Sequence, residues 1–145
     1  MDLTYQNLSD AGSSISTIAR NILGAQVRTK DIFEIMHAVA TSPNLKHVWE
    51  VTVANGDLFQ AAVGGKPFKV VARPAVHDSK GKVICYVVVT DPVSNEAGEV
   101  ARFLVTSSGE IQYANGEMMH SASDDEAAAL LLANITALVL APRPE

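Results

Sequence analysis

The sequence predicts an α+β domain with an N-terminal helix or helix pair, an antiparallel β-meander of five to six strands and a C-terminal apolar helix. Three observations lead to this prediction. Apolar residues recur at helical spacing over residues 13–41. Short apolar segments, separated by turn residues at intervals of roughly ten, follow over residues 46–119. Residues 124–141 then form an acidic start followed by an apolar run. Residues 1–145 are therefore expected to form a single domain.

The first helical segment is predicted from one apolar stripe with alternating spacings of three and four. Its members are Ile15, Ile18, Ile22, Ala25, Thr29, Ile32, Met36 and Val39. Ser13 or Ser14 is the expected N-cap, and the pattern stops at Pro43. Gly24 leaves two interpretations open. The segment is either one helix or two, with Thr29 capping the second.

The strands are predicted from alternation and from the turn residues between them. The expected strands cover residues 47–53, 58–63, 68–73, 83–90, 99–106 and 110–114. Asn55-Gly56 is the strongest hairpin signal. The segment Val83 to Thr90 is almost entirely apolar, so it is expected to be a central strand covered on both faces.

The composition excludes several classes of protein. A single cysteine excludes a disulfide framework, and 48% apolar residues exclude disorder. No apolar run approaches the roughly 20 residues that span a bilayer, and the first ten residues do not resemble a signal peptide. No membrane partner is therefore expected. Only 19% of residues are charged, below the typical value of about 25%, which indicates a surface partly covered by other protein.

The search for chemistry predicts no enzyme. The sequence contains no nucleophile elbow, no phosphate-binding glycine loop and no zinc-protease motif. His37, His47, His77 and His120 do not have the spacing of metal ligands, so we expect no metal and no cofactor. Cys85 lies in the most apolar strand and is interpreted as a core residue.

The C-terminal helix is the most informative segment for partners. Thirteen of the fifteen residues from Ala127 to Ala141 are apolar and none is charged. Ser123 and Glu126 form a capping box at its start. A helix that is apolar all round must be covered all round, either by the N-terminal helix or by a second subunit. The predicted oligomer interface consists of Leu130, Leu131, Ile135, Leu138 and Val139.

The charge is unevenly distributed along the chain, whose net charge is −5. Residues 20–82 carry nine Lys/Arg and five Asp/Glu, whereas residues 91–141 carry one and eight. Alternation puts cations, hydroxyl groups and a tyrosine on one face of each predicted strand. If these faces coincide, one side of the sheet carries groups that suit phosphate contact and base stacking. The predicted RNA-binding residues are Lys69, Val71, Arg73, Lys82, Tyr86 and Arg102.

Three segments resemble the coat proteins of single-stranded RNA phages. PFKVVARPAVHDSKGKVICYVVVTDP is similar to their paired central strands, and NEAGEVARFLVTSS to the loop and strand that follow. SASDDEAAALLLANITALVLAP is similar to their C-terminal helical segment. The resemblance covers residues 67–141 and has no counterpart for the helical pattern of residues 13–41.

This resemblance implies a self-assembling shell protein without enzymatic activity, located in a virion. Subunits of that family pair their sheet edges and interlock their helices as dimers, and the dimers close into an icosahedral shell with the sheet toward RNA. On matching positions, the RNA side would carry Lys69, Val71, Arg73, Lys82 and Arg102. The expected partners are thus the protein itself and RNA.

Two alternatives stay open at this point, both of them cytoplasmic. The first is a helix-grip domain that binds a small apolar ligand in a cavity lined by Phe68, Tyr86, Phe103 and the C-terminal helix. The second is a small regulatory or inhibitory protein that binds one protein partner through an exposed patch. An enclosed apolar cavity would favour the first alternative over the second.

Overall fold

The computed structural model describes residues 7–121 and 124–142 and confirms the predicted α+β class. The elements are α1 (Leu8–Ala40), β1 (Trp49–Ala54), β2 (Leu58–Val63), β3 (Lys66–His77), β4 (Lys80–Thr90), β5 (Ala97–Val105), β6 (Ile111–Tyr113), β7 (Met118–His120) and α2 (Asp125–Leu140). The seven strands exceed the predicted five to six. The additional strand, β7, is a three-residue segment after the Gly116 turn, too short to show any alternation in the sequence.

All seven strands pair antiparallel in chain order, from β1 at one edge to β7 at the other. Both helices pack on one face of this sheet, and the buried side chains of helices and strands form one core there. An aromatic group lies at its centre: Phe59 has its ring 6.0 Å from that of Phe33 and 6.2 Å from that of Phe68. The opposite face, which we call the open face, is covered by no helix of the described chain.

β4 occupies the middle of the sheet, as predicted, but its second face is not fully covered. Val83, Cys85, Val87 and Val89 are buried under the helices. Their alternating neighbours, Ile84, Tyr86, Val88 and Thr90, are half-buried on the open face. The continuous apolar run therefore reflects one buried face and one face that mixes apolar with polar contacts.

The N-terminal pattern forms one continuous helix of 33 residues, which decides against the helix pair. It begins earlier than predicted, because the side chain of Asn7 accepts a hydrogen bond of 2.8 Å from the backbone N–H of Asp10. Ser13 therefore lies inside the helix. Thr29 is not a cap but a buried residue whose hydroxyl donates to the carbonyl of Ala25 at 2.8 Å.

Gly24 does not break α1; it lets the helix approach the β5–β6 turn. A Cβ at Gly24 would lie 3.0 Å from the Cβ of Ser107. A second glycine, Gly81 at the start of β4, is still closer to α1. A Cβ there would lie 2.4 Å from the carbonyl oxygen of Ile18. These two glycines allow the helix to pass directly over the ends of the central strands.

β3 continues past Pro74, where the sequence predicted its end. The N–H of Ala72 bonds to the carbonyl of Asp57, which is the last contact from β2. The backbone nitrogen of Pro74 also points toward the β2 side of β3, but β2 does not extend this far. The lack of an N–H at Pro74 therefore costs no hydrogen bond between strands. The far half of β3 is held by β4 alone, through pairs that run to His77 opposite Lys80.

The N-cap of α2 is Asp124, whose carboxylate accepts a hydrogen bond of 2.8 Å from the backbone N–H of Ala127. Ser123, the first residue of the predicted capping box, lies outside the described residues. Within the described ranges, no helix is both long enough and apolar enough to span a membrane.

Candidate functional site: the open face and the outer stripe of α2

The strand register brings the six predicted RNA-binding residues to the open face. Val71 pairs with Tyr86, and Tyr86 pairs with Arg102, so these three form one row across the sheet. Lys69 lies one step away on β3, opposite Val88, and Arg73 lies one step the other way, opposite Ile84. Lys82 lies at the far end of the same face, opposite Ala75.

Arg102 does not present a free charge on this face. Its Nε and Nη2 donate to the two carboxylate oxygens of Glu99, at 2.6 and 2.8 Å. This hydrogen bonding to Glu99 raises the pKa of Arg102, so the guanidinium stays charged. Its Cζ also lies 5.0 Å from the ring centroid of Tyr86, within cation–π range. Tyr86 and Arg102 therefore form a stacked, neutralised unit.

Lys82 is likewise occupied. Its side chain is 5% exposed, and its Nζ donates to Oε1 of Gln112 at 2.8 Å and lies 3.3 Å from Nδ1 of His77. Gln112 in turn donates to Glu110 at 2.8 Å. Lys82 thus joins the β3–β4 hairpin to β6, and among the predicted RNA-binding residues it is the one least available to a ligand.

Lys69, Arg73 and Lys80 are exposed cations of the open face that have no carboxylate partner among the described residues. The strand residues described on this face include five cations (Lys69, Arg73, Lys80, Lys82 and Arg102) and two carboxylates (Glu50 and Glu99), a balance of +3. The whole chain has a net charge of −5. The open face therefore carries a net positive charge on a protein whose overall charge is negative, and Glu99 reduces that positive charge by one.

The predicted oligomer interface divides into two groups in the structure. Leu131, Ile135 and Val139 are buried in the protein's own core, with exposed fractions of 2%, 2% and 0%. They are therefore unavailable to a second subunit. Leu130 and Leu138 point away from the core and are 45% and 43% exposed.

Around these two leucines, α2 presents an uncharged surface that we call the outer stripe. It consists of Leu130, Ala133, Asn134, Ala137, Leu138 and Ala141, all exposed. Their spacing of three and four residues places them along one side of the helix. α1 and the sheet cover the opposite side. α2 is apolar on all sides in sequence, but only one of its sides is buried within the protein.

A groove of about 410 Å³ runs beside the outer stripe, between α2 and strands β5 to β7. Its floor and walls include Ala101, Phe103, Tyr113 and Met119, together with Leu138 of the stripe. Tyr113 is 51% exposed at its edge. The stripe and the groove adjoin and form one surface that is largely apolar, with Asn134 and Arg102 as its polar members.

A second groove, of about 480 Å³, lies between α1 and the β2–β3 region. Neither groove is lined as the helix-grip alternative expects. Phe103 contributes to the first groove, whereas Phe68 is buried in the aromatic core and Tyr86 lies on the opposite face of the sheet. These three side chains therefore do not surround one cavity.

The remaining candidates for chemistry are separate from one another. Within the described residues, no three His, Cys, Asp or Glu side chains are placed to hold a metal ion. His77 lies 3.3 Å from the carboxylate of the adjacent Asp78. Burial raises the pKa of the Cys85 thiol, so this residue stays protonated in the core.

Sequence reasoning missed several residues that define these surfaces. Glu99, which neutralises Arg102, is three residues away on a strand that contains a bulge opposite Val87 and Val88, so simple alternation does not pair the two. Asn134 was also not singled out from the sequence. Its position between Leu130 and Leu138, at helical spacing, was a readable signal.

Comparison with known proteins gave no relatives. No protein-family model, no curated protein and no solved structure matches the chain.

Proposed function

We propose that this protein is a non-enzymatic structural protein that assembles with copies of itself through the outer stripe of α2, with RNA as the partner of the open face. The observation that carries the proposal is the exposure of Leu130 and Leu138 on a helix side with no charged residue. Large contiguous apolar patches on soluble proteins mark interaction sites.

The chemistry of the stripe favours a protein partner over a lipid surface. Amphipathic helices that lie on membranes carry Lys or Arg on their polar face. The described part of α2 has no basic residue, and its first turn contains Asp125 and Glu126. An acidic start would be repelled by anionic lipids. A second protein surface with the same uncharged character would bury the leucines at no electrostatic cost.

RNA as the second partner is supported by the arrangement of the open face. Lys69 and Arg73 are exposed there, on either side of the row that contains Tyr86. The two cations suit phosphate contacts, and an aromatic ring backed by a guanidinium suits base stacking. The helices lie on the other face. One molecule therefore has separate surfaces for assembly and for RNA.

Light scattering coupled to size-exclusion chromatography tests the assembly. We expect a mass of at least two subunits for the wild-type chain at micromolar concentration, and a shift to the 15.4 kDa monomer for Leu138→Asp. Val93→Asp is the matched control, because Val93 is 93% exposed on the β4–β5 loop and should leave the mass unchanged. A wild-type monomer with a protein-only 260/280 nm absorbance ratio would refute the proposal.

A further inference from the structure

The outer stripe has an internal symmetry. Leu130 precedes Asn134 by four residues, and Leu138 follows it by four. Reversing the helix direction about Asn134 therefore exchanges the two leucines. We infer that α2 packs antiparallel against α2 of a second copy, with the two-fold axis passing beside Asn134. This inference rests on the proposed self-assembly and specifies its partner surface, orientation and register.

A two-fold interface must be complementary to itself, because the same patch is used on both subunits. In the inferred register, Leu130 of one copy faces Leu138 of the other at both ends of the contact. Ala133 and Ala137 are the residues between the leucines, and both are exposed. Their small side chains leave space for leucines of the facing helix, so the helix axes can approach to roughly 8–10 Å.

Asn134 fixes the register. Its side-chain amide is exposed and has no hydrogen-bond partner among the residues that the structure describes. At the two-fold axis it would face its own copy, and two amides can exchange hydrogen bonds because each has both a donor and an acceptor. A shift in register would instead press the amide against a leucine. A single polar residue within an apolar seam selects register in this way in other helix pairs.

Charge favours the antiparallel orientation. Asp124, Asp125 and Glu126 all lie at the N-terminal end of α2. A parallel pair would bring six carboxylates to one end. In the antiparallel pair the two acidic clusters lie at opposite ends, separated by roughly 24 Å for a helix of 16 residues.

The neighbouring groove supports a second copy as the occupant. Arg102 is the one charged residue among those that line it, and Glu99 already binds that guanidinium in two hydrogen bonds. The groove therefore has no unpaired charge to attract an ionic partner. The groove offers apolar volume directly beside Leu138, which can accommodate side chains from the uncharged outer stripe of the second copy.

Cysteine cross-linking tests the register. In a Cys85→Ala background, each of Leu130→Cys, Asn134→Cys and Leu138→Cys is oxidised with diamide at micromolar concentration. We expect Asn134→Cys to form a homodimeric disulfide readily. Leu130→Cys and Leu138→Cys should each remain largely uncross-linked alone and should cross-link when mixed in equal amounts, one of them carrying a size tag. Val93→Cys, exposed on the β4–β5 loop outside the outer stripe, measures the rate of random collision.

The possible results separate the inference from the proposal on which it rests. A monomer in light scattering, with no cross-linking above the Val93→Cys rate, would overturn both. A dimer in which Leu130→Cys cross-links with itself would indicate a parallel pair, and would overturn the inference while self-assembly stands. A dimer with no cross-link at any of the three positions would show that another surface forms the interface, with the same consequence.

Discussion

At the scale of single residues, Gly24 and Gly81 determine how closely α1 lies on the sheet. Gly81 is the more demanding, because an added Cβ would meet a backbone carbonyl of Ile18 rather than a movable side chain. Gly12, near the start of the same helix, has no atom within 4 Å of an added Cβ. The two positions therefore give opposite expectations for the same substitution.

We predict that Gly81→Ala lowers the free energy of unfolding by about 1–3 kcal/mol, because α1 or β4 must shift to admit the methyl group. Gly12→Ala should leave stability unchanged or raise it by up to about 1 kcal/mol, through the higher helix propensity of alanine. Urea titration followed by circular dichroism measures both variants. Equal stability of the two would contradict the close approach of α1 to Gly81.

At the scale of elements, α2 has two sides with different roles although adjacent residues are chemically identical. Leu131 is 2% exposed and packs in the core, whereas Leu130 is 45% exposed on the outer stripe. The sequence alone did not separate them, because the helix is apolar on both sides. Only the position of α1 and the sheet shows which leucines belong to the core.

Truncating each leucine should therefore affect a different property. Leu131→Ala is expected to lower the unfolding free energy by about 2–5 kcal/mol, as for other buried leucines, through lost burial and a residual cavity. Leu130→Ala should change the stability of the isolated subunit by less than about 0.5 kcal/mol and weaken self-association. Chemical denaturation and sedimentation at matched concentrations report the two effects. A large loss of subunit stability in Leu130→Ala would show that the outer stripe is not an independent surface.

At the scale of the whole molecule, the two faces of the sheet differ: the helices and the core lie on one, and the other is the open face. Alternation predicted which residues share one face of each strand, and the pairing of the strands in the structure brings those faces together as the open face. The sequence did not predict which of these side chains are already bound to other residues of the protein. Whether Lys82 is exposed depends on Gln112, thirty positions away, and whether Arg102 is free depends on a bulge that brings Glu99 alongside. Such contacts are set by packing and do not appear in local patterns.

RNA binding should depend on the exposed cations of the open face that have no carboxylate partner among the described residues. We predict that the double variant Lys69→Glu/Arg73→Glu weakens binding to a single-stranded RNA oligonucleotide, and reduces the slope of log affinity against log salt by about 1.4 for two lost phosphate contacts. Arg20→Glu/Lys46→Glu changes the net charge equally, at exposed positions outside the sheet. Fluorescence anisotropy over a salt series compares them. Equal weakening by both pairs would indicate attraction by overall charge rather than contact at the open face.

The strictly sequential order of the strands also has a consequence for the path by which the chain folds. Each strand pairs with its neighbour in the chain, so the sheet can grow hairpin by hairpin with short loop closures. α1 leaves the ribosome before the strands, yet its buried residues Ile32, Phe33 and Met36 are covered only when those strands have formed. The slow and cooperative step should therefore be the docking of α1 across β4, where Ile18 meets Gly81. Until then, the nascent chain carries a long helix with an uncovered apolar side.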